Sequence, residues 1–382
     1  MTRIDGEWLF RRTTQTVLGT LERGGHVAYV VGGCVRNALM DVTVTDIDIA
    51  TRARPDTVVS LCEAAGMKCV PTGIDHGTIT VVAEGIAHEV TTFRADVETD
   101  GRRAVIRFSD TIEEDARRRD FTMNALYADA RGEVTDPLGG LTDLLARRVR
   151  FIEDAATRIR EDYLRILRFF RFSAWYGDPM QGFDADALAA IVDNQEGLRS
   201  LSRERVGQEI VKLLAAPNPA PAIAVMAQIG VLRRILPGAA AEPLGPLVHE
   251  EERLGLPVDP IRRLAALGYL DAGSLRLSRA QKRKLELYQS LITEPYGPAE
   301  VAYRHGADVA WDILALRSAS FGFPVSDDVR SEIEDGARAE FPVRAQHLDE
   351  EQGPELGARL ARLETAWIAS GFSLTRDDLL GL

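Results

Sequence analysis

Asp46-Ile47-Asp48-Ile49 is the stretch that most narrows what this 382-residue chain can fold into. On a strand, side chains alternate between faces, so Asp46 and Asp48 share one face while Ile47 and Ile49 turn the other way, into a core. The segment therefore asks for a sheet with one buried face and one open polar face. Two carboxylates held that close are costly unless a positive charge lies between them. A hard divalent cation with oxygen ligands answers that need, and Mg²⁺ is the usual one beside phosphates. Just upstream, the apolar run 26–31 reads as a strand that ends in Gly32-Gly33. Glycines there let a phosphate reach backbone N–H groups. Arg36 is placed to hold an anion near the start of the following helix. A phosphate grip beside metal carboxylates implies phosphoryl or nucleotidyl transfer. Taken alone, Asp-x-Asp also describes a solvated strand end, so the rest of the chain must decide.

The remaining segments read as an α+β chain: a small mixed β-sheet head followed by an all-helical neck, body and tail. Residues 7–24 have helical apolar spacing closed by Gly24-Gly25. Short strands are predicted at 26–31, 44–50, 68–70, 77–82 and 87–93, with helices at 33–41 and 56–65. Too few helices alternate with these strands for a dinucleotide-binding βαβ fold. Residues 95–109, polar and Gly-containing, read as a mobile loop. Beyond about residue 139 only 149–152 has a strand pattern. Helices are predicted over 155–176, 201–216, 278–292, 301–317 and parts of 328–370. The expected domains are 1–138 (head), 139–216 (neck) and 217–382 (body and tail).

Composition removes several classes. No apolar run reaches the length of a membrane span, and the first residues carry no secretory pattern. Three cysteines, Cys34, Cys62 and Cys69, lack zinc spacing, and their odd number argues against a disulfide framework; a reducing cytoplasm is the expected compartment. There is no Gly-Lys-Ser/Thr loop of an NTPase motor and no His-Asp dipeptide of a metal phosphohydrolase. The net charge of −12 excludes nucleic-acid binding driven by overall charge, so any such contact must come from local patches. Arginine supplies nearly all the cations, and its planar fork suits phosphates and base edges.

Two further segments concentrate polar chemistry. Glu89, on the predicted strand 87–93, is a third carboxylate that could close a metal site or accept a hydroxyl proton. Arg118-Arg119-Asp120-Phe-Thr-Met-Asn124 precedes an apolar stretch. On the helix predicted for 155–176, Asp162 and Arg165 are i,i+3 neighbours and Glu161 and Arg165 are i,i+4. A surface ion-pair ladder would use the same spacing. A carboxylate only accepts and a guanidinium only donates. Such a pair matches the amino donor and ring acceptor of cytosine or adenine, whereas uracil and guanine present the reverse. A buried mispair costs roughly 1–3 kcal/mol per unsatisfied group.

Five segments, in order over about residues 28–215, resemble the bacterial class II tRNA nucleotidyltransferase and poly(A) polymerase family, of the polymerase β-like superfamily. They are Gly32-Gly-x-Val-Arg36 through Asp46-x-Asp48, Arg118-Arg-Asp-Phe-Thr-x-Asn-Ala-Leu126, Asp136-Pro-x-x-Gly-x-x-Asp-Leu144, Glu161-Asp-x-x-Arg165-x-x-Arg168 and Glu204-Arg-Val-Gly-Gln-Glu209. The resemblance implies two Mg²⁺ ions on Asp46 and Asp48. It implies a triphosphate against Gly32, Gly33 and Arg36, and a nucleotide sugar and phosphates on Arg119, Asp120 and Asn124, with Asp120 at the ribose 2′-hydroxyl. Asp162 and Arg165 would read the base, supported by Glu161 and Arg168, and the 95–109 loop would accompany the switch from adding C to adding A. The implied substrates are CTP, ATP and the 3′ end of tRNA, with no protein partner and no membrane. A poly(A) polymerase, an enzyme adding only CC or A, and an inactive RNA-binding homologue are the alternatives. The family usually continues Val-Arg with Asp; this chain has Asn37, expected to change only local capping.

RNA is expected along the helical half. Residues 147–171 hold eight arginines against four acids, and Arg276, Arg279, Lys282, Arg283 and Lys284 form a second basic cluster, which a solvated helix face would also explain. The acidic run Glu250-Glu251-Glu252 reads as solvent-exposed.

Overall fold

The structure, a computed structural model, describes residues 2–100, 103–271, 273–323, 325–326, 328–348 and 353–382. It divides into two compact units, residues 1–216 with 228–235, and residues 217–227 with 236–382.

The first unit holds the sheet. Its strands are β1 (Ala28–Val31), β2 (Asp48–Thr51), β3 (Lys68–Gly73), β4 (Thr78–Ala83) and β5 (Ile86–Thr92), then the separate pair β6 (Arg94–Asp100) and β7 (Arg103–Phe108), and finally β8 (Tyr127–Ala128) and β9 (Val134–Thr135). The seven-stranded sheet runs β3-β4-β5-β2-β1-β8-β9. Its pairs are antiparallel except β2 with β5, where Asp48 lies opposite Glu89 and Ile49 opposite Val90. Helices Arg12–Arg23 and Pro55–Ala64 contribute Val17, Leu18, Leu21, Val58 and Cys62 to the buried core, together with Ile47, Ile49, Ile79, Val81 and Val90 from the sheet region.

Several expected elements differ. The helix expected over 7–24 is two, Glu7–Phe10 and Arg12–Arg23, separated at extended Arg11. Side chains take the carbonyls there: Thr14 Oγ1 donates to Trp8 O (2.8 Å) and Gln15 Nε2 to Leu9 O (3.0 Å). The carboxylate strand begins only at Asp48, where its registered pairing with β5 starts. Asp46 thus lies just before the strand rather than on it. The expected 95–109 loop is largely the β6–β7 hairpin; its residues 101 and 102 lie outside the described residues. The Asp100-Gly101 dipeptide between polar and β-branched stretches is a hairpin signal that the polar composition obscured. Segment 149–152 makes only an isolated bridge, Phe121 to Phe151.

The helix expected over 155–176 is also broken. It is Ala155–Glu161 followed by Leu164–Tyr176, with Asp162 extended (φ −154°, ψ 105°). Asp162 Oδ1 accepts from Leu164 N (3.1 Å), capping the second helix. Asp162 and Arg165 are therefore not i,i+3 neighbours on one helix. An aromatic core joins this segment to the head: Phe121 packs on Phe151 (4.9 Å between ring centroids) and Phe172 (5.0 Å), and Phe151 stacks on Phe169 (5.7 Å).

The second unit is helical. Glu251, in the acidic run expected to be exposed, is 3% exposed and accepts from both Arg262 and Arg263 (2.9 Å each). The run sits on helix Leu244–Leu254, and one turn of that helix faces the core. Arg262 also pairs with Asp312, which accepts from Tyr288. Lys284, from the second basic cluster, pairs with Asp259 and lies 4.0 Å from Asp312, so its charge is partly committed to this network. No helix among the described residues is long and apolar enough to cross a membrane.

Candidate active site

The site forms where β1 ends. Gly32 takes φ +73°, ψ −118°, and caps helix Gly33–Leu39. A Cβ on Gly32 would stand 3.0 Å from Arg119 Nη1 and 3.5 Å from Asn124 O. Glycine is needed there both for the backbone conformation and for the approach of Arg119. About one helix turn later, Arg36 is buried, and every partner of its guanidinium is neutral. It donates to Asn124 Oδ1 (2.5 Å), to Asn37 Oδ1 through Nε (3.1 Å) and Nη2 (2.8 Å), and to Tyr176 Oη (2.9 Å). Its guanidinium lies 4.0 Å from the Tyr176 ring centroid. Among the described residues no carboxylate pairs with Arg36. Burial depresses its pKa. A buried, unpaired guanidinium beside a glycine turn is arranged to receive an anion.

Asn37 does more than adjust a cap. Besides accepting from Arg36, its Nδ2 donates to Thr43 O (3.1 Å), in the segment that leads to the carboxylates. There, parallel pairing of β2 and β5 sets Asp48 opposite Glu89, and Glu89 N donates to Ile47 O (3.1 Å). Burial and the Glu89 charge push the Asp48 carboxyl up to about 6, against Arg119, with Asp46 adding a smaller rise. Asp46 and Glu89 are exposed, and Thr45 donates to Asp46 Oδ2 (3.2 Å). Among the described residues, no three His, Cys, Asp or Glu side chains are grouped so as to hold a metal. Asp48 and Glu89 are cross-strand neighbours, and Asp46 stands two residues before Asp48.

Arg119 is organised by two residues that the sequence reading passed over, Asp115 and Tyr127. Asp115 accepts from Arg118 Nε (2.8 Å), Arg119 Nη2 (3.2 Å) and Tyr127 Oη (2.8 Å), while Arg119 Nε donates to Tyr127 Oη (3.2 Å). Burial raises the Asp115 carboxyl, but Arg118 and Arg119 outweigh it and hold it at about 2. The i,i+3 and i,i+4 spacing of Asp115 to the arginine pair was a usable signal.

Asp120 is 7% exposed. Its Oδ1 accepts from Phe121 N and from Asn124 Nδ2 (2.9 Å each), and its Oδ2 accepts from Arg168 Nε (2.7 Å) and Nη2. Burial raises this carboxyl too, and Arg168 outweighs burial, holding it at about 2. Arg168 thus bonds to Asp120, not to Asp162 or Arg165. Arg165 pairs with Glu161 and donates to Arg158 O (2.8 Å) and Arg118 O (3.1 Å). Asp162 Oδ2 accepts from Arg205 (2.6 Å), another residue the sequence reading missed, within the Glu204–Glu209 motif. The structure therefore joins Arg36, Asn124, Asp120 and Arg168 in one hydrogen-bonded chain, and sets Arg119, bonded separately to Asp115 and Tyr127, against the Gly32 turn. Arg165 reaches the Asp115 cluster at Arg118 O. The basic cluster 276–284 belongs to the other unit.

Comparisons with known proteins agree with this geometry. Residues 28–150 match the poly A polymerase head domain family, and residues 182–242 match a family described as the probable RNA and SrmB-binding site of polymerase A. The chain is 30% identical over 393 residues to the mitochondrial CCA tRNA nucleotidyltransferase 1 of Mus musculus, covering 97% of this chain and 90% of that protein. It is 41% identical over 226 residues to the CCA-adding enzyme of Geobacillus thermodenitrificans, an alignment spanning 59% of this chain and 54% of the relative. The crystal structure of the Bacillus stearothermophilus CCA-adding enzyme in complex with CTP superposes with a TM-score of 0.72 at 28% identity, covering 94% of this chain and 93% of that one. With a full-length relative at this identity, the chain belongs to the CCA tRNA nucleotidyltransferase family.

Proposed function

We propose that this protein completes the 3′ end of tRNA, adding C, C and A from CTP and ATP without a nucleic-acid template and releasing pyrophosphate. The observation that carries the reading is the buried Arg36 without a counter-charge. It lies beside the Gly32 turn and is linked through Asn124 and Asp120 to Arg168 on the helix that follows Asp162. One network therefore joins an anion grip to the segment proposed to read the base.

In this reading the triphosphate lies against Gly32, Gly33, Arg36 and Arg119. Asp46 and Asp48 would hold Mg²⁺, and the raised Asp48 carboxyl beside Glu89 fits a site that a divalent cation stabilises. Bound Mg²⁺ would supply charge neutralisation on the phosphates and ease loss of the hydroxyl proton. The tRNA 3′-hydroxyl attacks the α-phosphorus and the α–β phosphoanhydride bond breaks, so pyrophosphate leaves. Arg36 and Arg119 offset the charge that builds on the departing oxygens. Glu89 would accept the hydroxyl proton.

Asp162 and Arg165 read the base. Arg165 is pinned through Nη1 and Nη2, which leaves its Nε–H without a partner among the described residues and available to a ring acceptor. Asn124 and the Asp120 carboxylate lie at the sugar. Three free cysteines suit a reducing cytoplasm.

Incubation with tRNA lacking its last three nucleotides, Mg²⁺, and labelled CTP and ATP, separately and together, tests the proposal. Addition of CC from CTP alone and CCA from both is expected. Long A-tails would indicate a poly(A) polymerase, and CC or A alone a partial enzyme. Activity that survives Asp46→Ala with Asp48→Ala would overturn the metal assignment.

A further inference from the structure

A second charged cleft lies in the first unit, on a segment whose Gly197 packs against Tyr163. Its volume is about 410 Å³, and its walls are Glu196 and Arg199 of the 3₁₀ segment Gln195–Ser200 and Arg233 and Arg234 of helix Val231–Ile235. The walls are fixed from behind, because Leu198, Val231, Leu232 and Ile235 are all buried. Arg234 is held in place, its Nε donating to Gln195 Oε1 (2.9 Å) and its Nη2 2.7 Å from Glu196 Oε1. Arg199 shares the same carboxylate (2.9 Å) yet remains 76% exposed. Arg233 is exposed and has no ion pair among the described residues. One glutamate thus faces three arginines, which leaves two positive charges in a chain whose net charge is −12.

We propose that this cleft binds two neighbouring backbone phosphates of the RNA substrate. Guanidinium forks on a rigid frame fit the tetrahedral oxygens of a phosphate. The lining offers no aromatic face on which a nucleoside could stack. The nucleotide's triphosphate already has Arg36 and Arg119 at the Gly32 turn, so RNA rather than a second nucleotide is the source. The cleft falls within the segment matching the RNA-binding family. It also corrects the balance of charge expected along 147–171. Of the eight arginines there, Arg150, Arg158, Arg165, Arg168 and Arg171 are already paired with acids of the protein. This assignment rests on the tRNA reading above.

The test measures binding of labelled tRNA lacking its last three nucleotides at 50–200 mM KCl, for the wild type and for Arg199→Gln with Arg233→Gln. Both side chains are exposed and Arg234 is kept, so the thermal unfolding temperature should not change. Losing two phosphate contacts lowers the slope of log affinity against log salt by about 1.8. Across that fourfold salt range the wild type would then lose about 12-fold more affinity than the variant. The KM for CTP and ATP should stay the same. An unchanged salt slope overturns the assignment. A raised nucleotide KM with an unchanged slope makes the cleft a nucleotide site instead. A wild type that neither binds nor extends tRNA overturns the proposed function itself, and this assignment with it.

Discussion

Arg168→Met tests the junction on which the site depends. The substitution keeps most of the stem's packing and removes the guanidinium that gives Asp120 Oδ2 two hydrogen bonds. Asp120 is 7% exposed and would retain only Phe121 N–H and the Asn124 amide. Breaking a buried pair from one side costs roughly 3–5 kcal/mol, because the remaining charge stays desolvated. Arg168 is itself 31% exposed, which brings the expectation down to about 2–3 kcal/mol. Urea unfolding of the wild type, Arg168→Met, Asp120→Asn and the double variant measures this as a cycle. The double variant should be more stable than the summed single losses imply, with a coupling of about 1.5–2.5 kcal/mol. In Arg168→Met, activity should recover partly on lowering the pH, as the stranded Asp120 becomes neutral. Additive losses, or a loss below about 0.5 kcal/mol for Arg168→Met, would refute the argument that this pair clamps the two halves of the site together.

Gly32→Ala should cost about 1–2 kcal/mol from its positive φ and push Arg119 away, seen as a lower unfolding temperature and a higher KM for CTP. Arg165→Ala should blur the preference for CTP and ATP over UTP and GTP by about tenfold or more, with tRNA binding nearly unchanged; intact selection would refute the base-reading role. Asp115, held at about 2 against an unfolded value near 3.9, contributes about 2.5 kcal/mol that is fully present above pH ~4 and lost as pH falls toward 2. Asp115→Asn should accordingly flatten the acid limb of the stability profile between those values, as followed by circular dichroism. Asp48→Asn should lower kcat by about a thousandfold with the fold intact.

What the sequence determined by itself is local. The period-two apolar pattern, the glycines closing the first strand, and the caps and breakers of the neck act between residues a few positions apart, where backbone geometry leaves little choice. They made the α+β order and the Gly32 turn legible. The tertiary structure decided the partners. Asp48 meets Glu89, 41 positions later, only because β2 pairs parallel with β5. Asp162 leaves the helix because its carboxylate caps Leu164 and accepts from Arg205, and Arg168 reaches Asp120 across 48 residues. Glu251, polar by every local measure, is buried because Arg262 and Arg263 happen to face it. A long guanidinium can satisfy any carboxylate within reach, and its spacing in sequence does not say which. Only packing, by fixing which carboxylates are desolvated and where, selects the pair that lowers the free energy most.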